Sequence, residues 1–318
     1  MGRPAPYTGA MASPSSPAIA FDSKLWPSGT LWQPSATLSA CIRATMVRNT
    51  LGSSLTDAQR VNHFPAAPLC SLSWWFTGSS LALGASSDGS DEGQPLDETA
   101  AKTPLPGRWV LSGPQTRPTA TWCPGPVHAM MVLIPPDALH ALTHLQPEAL
   151  MDRMVDAATV LPPDWLPMLQ AVQNAGDDAQ ALQLLEEFLE PRWQACRPAQ
   201  PVAWQRYSDW VTHLAQRAAV SGPGRSLRQL ERRIKRWSGL PLRELRVMGR
   251  SEDAFFATAA LATQSSDKLD WAQIAADSGY SDQSHLIRTT RRITGLTPEA
   301  LGKGIQHHES FWAYRLWM

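Results

Sequence analysis

Up to Ile134 the apolar residues of this 318-residue chain come in short dense runs separated by Gly and Pro. Beyond that point they recur every three or four positions. The run at 69–76 (LCSLSWWF) has strand length and lies between Pro68 and Gly78. Further strands are predicted at 107–112 (GRWVLS), 119–122 and 127–134 (VHAMMVLI). Strand neighbours face opposite ways, so at most one of Trp74 and Trp75 can point into any pocket. Trp26, Leu31 and Trp32 read as anchors, and 38–47 reads equally as a short helix or a strand. Residues 85–103 are Ser-, Gly- and acid-rich and read as a mobile surface loop. Short strands with turns between them predict a small sandwich or barrel. Helices are predicted at 138–145, 147–158, 166–174 and 179–193, the last with Leu182, Leu185, Phe188 and Leu189 on one face. The Pro-rich joint at 197–201 marks a domain boundary.

The C-terminal third is patterned as two pairs of helices. Asp270 can cap a helix that runs from Trp271 to Ser278, with Gln273 three residues on and Leu269 stapling against Ile274. Gly279 suits the left-handed turn that ends it. Ser281 or Asp282 then caps a second helix whose inner stripe is Leu286, Thr289/Thr290 and Ile293, and Gly295 closes it. Arg288, Arg291 and Arg292 fall outside that stripe. A short helix, a turn with Gly and a second helix make a helix-turn-helix. Upstream, 226–245 (SLRQLERRIKRWSGLPLREL) repeats the logic: Ser226 can cap, Gln229 sits at the third helical position, and Leu230 and Ile234 form the stripe. Between the pairs, Met248, Phe255, Phe256 and Leu261 recur at helical spacing and predict a linker helix.

Charge distribution changes the picture more than charge total. The formal net charge is zero, which alone argues against a nucleic-acid partner. Yet 225–250 holds Arg225, Arg228, Arg232, Arg233, Lys235, Arg236, Arg243, Arg246 and Arg250 against only Glu231 and Glu244. A basic reading head joined to an acidic remainder is the reading, since phosphate contacts depend on the local field. The four cysteines, Cys41, Cys70, Cys123 and Cys196, form no CxxC pair and read as reduced core residues of a cytoplasmic protein. No apolar run reaches membrane-spanning length. The first twenty or so residues read as a disordered, dispensable tail with no secretion signal.

The stretch IAADSGYSDQSHLIR followed by RRITGLTP resembles the second half of the AraC-type (arabinose-operon regulator) DNA-binding domain, with Ala275, Gly279, Ser284, Arg288, Gly295 and Pro298 in register. Residues 226–245 resemble the end of that family's first unit. Two departures stand out: Thr290 occupies a position where the family usually has Phe, and Ser221-Gly222-Pro223-Gly224 replaces a tight turn. HFPAAPLCSLSWWFTG, LSGPQTRP and VHAMMVLIPPDALHALTHL resemble an uncharacterised β-rich domain found before such reading heads. The resemblance implies a bacterial-type transcription regulator that is not an enzyme. It also implies double-stranded DNA as partner, a small-molecule effector, and RNA polymerase or a second copy of the chain as further partners; it names no cofactor.

The expected fold class is α+β: a β-rich sandwich or barrel-like sensor followed by an all-α bipartite helix-turn-helix domain. The expected divisions are a tail at 1–22, the sensor at 23–197, the reading head at 202–306 and a C-terminal tail at 307–318. Polar groups at the start of each second helix reach base edges in a major groove. The candidates are Gln283, Ser284, His285 and Arg288, then Arg228, Gln229 and Arg232. Arg233, Lys235, Arg236, Arg291 and Arg292 are assigned to phosphates, which fix register without reading sequence. His140 and His144 stand four apart, a spacing that can share a metal. With His63 and His128 they raise the alternative of a metal-dependent β-barrel enzyme with a degenerate reading head. No third ligand is evident, no GxSxG or GxxxxGK[ST] appears, and no metal is expected.

Overall fold

The structure is a computed structural model that describes residues 19–20, 28–84, 96–221, 226–264 and 270–318. The acid-rich segment 85–95, the joint from Gly222 to Arg225 and the Leu269 staple lie outside the described residues, as does most of the expected N-terminal tail.

Eleven strands are described: β1 (Ile19–Ala20), β2 (Ser28–Trp32), β3 (Ala44–Asn49), β4 (Val61–Phe64), β5 (Cys70–Thr77), β6 (Leu81–Gly84), β7 (Ala101–Pro104), β8 (Trp109–Ser112), β9 (Thr119–Trp122), β10 (His128–Ile134) and β11 (Met154–Asp156). They form two antiparallel sheets, β1-β2-β3-β10-β5-β8-β11 and β4-β9-β6-β7. The ambiguous 38–47 segment resolves into a turn and the start of β3. Two residues of the expected tail, Ile19 and Ala20, pair with Leu31 and Thr30 as a short edge strand.

Strand alternation explains how the large sheet is used. Cys70, Leu72 and Trp74 of β5 are fully buried in the main core with Val132, Ile134, Leu185 and Leu189. Trp74 Nε1 donates to the carbonyl of Leu169 on α3 (Leu166–Gln173) at 3.2 Å. The helices α1 (Pro136–Thr143), α3 and α4 (Asp178–Cys196) cover that face. Ser71, Ser73 and Trp75, on the opposite face, line a cavity shared with Asn62, Thr119 and Thr121 of the small sheet. Trp75 is the member of the Trp pair that faces a pocket.

The expected helix at 147–158 does not form. A 3₁₀ turn (Pro147–Leu150) gives way to β11, followed by the short α2 (Ala157–Val160). Asp152 takes a positive φ of 53° and its carboxylate accepts from Thr116 N and Oγ1. Val155 then pairs with Leu111, so sheet-edge pairing outweighs local helical spacing. The expected loop at 85–103 ends in β7, whose four residues are all exposed.

The C-terminal part is helical: α5 (Tyr207–Val220), α6 (Leu227–Ser238), α7 (Leu242–Gln264), α8 (Trp271–Asp277), α9 (Gln283–Thr294) and α10 (Pro298–His307). The expected tail at 307–318 is instead a 3₁₀ turn (Glu309–Phe311) and α11 (Trp312–Arg315), folded onto the large sheet. Trp312, Ala313 and Leu316 pack with Leu31, Ala44 and Met46. Trp312 Nε1 donates to Asn62 Oδ1 at 2.8 Å. Glu309 is buried between Arg48 and Arg315, and burial pushes its carboxyl up while the two guanidinium groups pull it down.

Candidate nucleic-acid interface

Each helix pair is held by local chemistry visible in its residues. At α6, Ser226 Oγ accepts from Gln229 N at 3.3 Å while Gln229 Oε1 accepts from Ser226 N at 3.4 Å, a reciprocal cap. At α8, Asp270 Oδ1 accepts from Ala272 N and Gln273 N. At α9 the cap is Asp282, whose Oδ1 accepts from His285 N at 2.8 Å. That bond and the Ser281 hydroxyl hold the Asp282 carboxyl below its ordinary range. Gly279, with φ 72°, provides the left-handed residue that turns α8 towards α9. Ile274, Ala275, Tyr280 and Leu286 close the small core under this turn.

The polar candidates emerge on the outer faces. Arg228, Gln229 and Arg232 are exposed on α6, and Gln283, Ser284 and Arg288 are exposed on α9. His285 is half-buried: its Nδ1 lies 3.2 Å from Ser281 Oγ and its ring stands edge-on to Tyr280. The Gln229 carbonyl is engaged by the cap, leaving its amide N–H groups for another partner. The presumed phosphate ligands differ among themselves. Arg236 and Arg291 are exposed. Arg233 Nη1 donates to the Ala218 carbonyl at 2.8 Å and so closes the end of α5. Arg292 pairs with Glu244 at 2.6 Å, and Lys235 with Glu148 at 2.8 Å.

Glu148 belongs to the β-rich half, and its contact is one of several that sequence alone did not signal. Asp137 of α1 accepts from Trp210 Nε1 at 3.0 Å and from Arg217 Nη1 at 2.6 Å, both on α5. Arg43 reaches Glu252 on α7 at 3.5 Å. In the loop between β4 and β5, Ala66 N donates to the Ile293 carbonyl on α9 at 2.7 Å.

Residues 222–304 match a family model described as a helix-turn-helix domain. The C-terminal part of this chain is an AraC-type helix-turn-helix domain. Crystal structures of ToxT from Vibrio cholerae are similar at low identity. An apo ToxT variant is 10% identical over 80% of this chain and 96% of that one, with a TM-score of 0.36. Wild-type ToxT with an unsaturated fatty acid bound is 13% identical over 76% and 93%, with a TM-score of 0.33. A comparison with curated proteins finds no match.

Two of the cavities among the described residues border the sheets and the helix-turn-helix domain. The first, about 190 Å³, lies between the sheets and meets Ser73, Trp75, Gln115, Thr121, Met130 and Trp312. The second, about 350 Å³, lies among α7, α9 and α10. Pro65, Tyr207, Tyr314 and Trp317 line both.

The histidines do not converge. His140 Nδ1 lies 2.8 Å from the Leu145 carbonyl, and His144 has left the helix with φ 61°. His128 pairs with Asp178, and His63 stacks on Phe311, where burial lowers its pKa to about 4. Among the described residues no group of three His, Cys, Asp or Glu is placed to hold a metal. Burial pushes the Cys41 and Cys70 thiols up, which keeps them in the less reactive protonated form. Among the described residues no helix is long and apolar enough to cross a membrane.

Proposed function

We propose that this protein is a sequence-specific, non-enzymatic transcription regulator that lays α6 and α9 into successive major grooves of duplex DNA. A small molecule held between the two sheets modulates it. The observation that carries the reading is the pair of capped helices, each with its apolar stripe packed inward and its Arg-bearing face exposed. In this reading Arg288 grips a guanine through O6 and N7, helped by Gln283, Ser284 and His285 one turn earlier. Arg228, Gln229 and Arg232 serve the first unit. Arg236 and Arg291 contact phosphates, as do Arg233, Lys235 and Arg292 when not engaged internally. The sensor spans 23–197 and the reading head 202–306.

The inter-sheet cavity is the effector site in this proposal because small hydroxyls and the rings of Trp75, Trp312 and Trp317 line it without a catalytic constellation. Selection of bound duplexes from random DNA tests the DNA reading. A single preferred site with two half-elements about one helical turn apart is the expected result. Enrichment of no sequence above background would overturn it. Metabolite screening by Trp fluorescence should find a stabiliser that is recovered chemically unchanged. Steady turnover dependent on His140 or His144 would favour the enzyme instead.

A further inference from the structure

The larger cavity sits directly behind the second recognition helix. Leu286, Thr290, Ile293 and Thr294 of α9 form one wall, with Phe255 of α7 and Leu301 of α10 among those opposite. The exposed Glu299, Lys303 and Gln306 border it, so it opens to solvent, and an apolar cavity of about 150 Å³ already takes up benzene. This one is roughly 350 Å³. Its size has a local cause. Thr290 is 8% exposed and stands on the inner stripe of α9, where a large apolar side chain would fill space.

The chemistry of the wall defines the occupant. Thr290 Oγ1 donates to the Leu286 carbonyl at 2.9 Å, and Thr294 Oγ1 to the Thr290 carbonyl at 2.8 Å. Both hydroxyls are thus spent on the helix backbone and leave the wall apolar in effect. Tyr314 is different: it is 6% exposed, lines the cavity, and its hydroxyl has no hydrogen-bond partner. A buried phenol without a partner is costly, and a ligand group can supply one. Charge disfavours an anion. Glu252 and Glu299 contribute carboxylates to the lining, while Lys303 is its one cation among the described residues and is paired with Glu299 at 2.9 Å.

We propose that the cavity behind α9 is a binding site for an uncharged, mainly apolar molecule of about two fused rings carrying one hydrogen-bonding group, which meets the Tyr314 hydroxyl. This site adjoins the inter-sheet cavity, with which it shares Tyr314 and Trp317, but its α9 and α10 walls are its own, and it does not depend on the DNA reading.

The test uses the full chain, with indole as the probe and indole-3-carboxylate as its charged counterpart. Indole should raise the melting temperature and bind in calorimetry, and the carboxylate should bind at least tenfold more weakly. Two variants fill the cavity from opposite walls. Thr290→Phe fills it from α9, and Gly302→Leu from α10, where an added Cβ meets nothing within 4 Å. Either should abolish indole binding while the variant keeps its helical signal. Tyr314→Phe leaves the cavity and should weaken indole about fivefold, the worth of one neutral hydrogen bond. Undetectable indole binding by the wild type would overturn the proposal. So would equal binding by Gly302→Leu, because it would locate the molecule elsewhere, or carboxylate binding as tight as indole's.

Discussion

Arg288 and Arg291 stand three positions apart on α9 and are both exposed, neighbours on the helix surface that are offset around its axis and can take different jobs. If Arg288 grips a guanine, Arg288→Ala should cost about 1–3 kcal/mol on the best site and relax preference at one base pair. Arg291→Ala should weaken all sequences alike and lower the salt-dependence slope by about one unit. Affinities for single-base site variants at two salt concentrations decide; a uniform loss for Arg288→Ala would remove it from the base readers. Glu252 makes a second residue-scale case. Burial raises its pKa from 4.5 to about 7, although Arg43 and the Tyr207 N–H pull it down. The folded chain therefore holds this proton more tightly than the unfolded chain. The associated stability is fully present below pH 4.5 and is lost as pH rises towards 7, on the order of 1–3 kcal/mol. Glu252→Gln should flatten that part of the profile. Denaturation midpoints at pH 5 and pH 8 measure it, and equal pH dependence in both proteins would rule out this burial effect.

At the scale of elements, caps and alternation were readable because they are short-range. Ser226 and Asp270 each bond the first helical turn that their spacing to Gln229 and Gln273 suggested, and of the two candidates Ser281 and Asp282 it is Asp282 that caps α9. The strand β5 alternates between a buried Cys70–Leu72–Trp74 face and a Ser71–Ser73–Trp75 face, as its letters indicate. Elements set by distant partners were not readable. The strand β7 is wholly exposed, so its sequence carries no apolar signal, and β11 follows from pairing with β8 rather than from its own residues. The 309–315 segment looked like a tail because its partners, Leu31, Met46 and Asn62, lie more than 240 positions away. The α9 cap gives the test at this scale. Asp282→Ala should lower stability measurably, while Asp282→Asn should cost little because an amide oxygen can still accept from His285 N. Equal losses for both would show that the negative charge at the helix start, and not the hydrogen bond, supports α9.

At the scale of the whole molecule, the composition break at 197–201 does not coincide with a break in the core. Ala66 and Leu69 from the β-rich half share one buried cluster with Trp204, Trp210, Leu245 and Ile293 from the helical half. The C-terminal segment then returns to the large sheet through Trp312 and Leu316. Asp137, Arg43 and Glu148 add polar ties across the same boundary. Stability is cooperative where buried contacts are continuous, so the two halves should melt together instead of one after the other. Calorimetry should give one transition whose measured enthalpy equals its van't Hoff enthalpy. Trp312→Ala extends the argument, since it removes a buried ring, its bond to Asn62 and the face on which the Arg48 guanidinium rests. It should cost about 3–5 kcal/mol. More telling is where the loss appears. Helical ellipticity and Trp emission should shift to lower temperature by the same amount, because the segment ties both halves. Two separated transitions in the wild type, or a Trp312→Ala defect confined to one probe, would mean that sensor and reading head fold independently. A signal from the inter-sheet cavity would then have no shared core through which to reach α9.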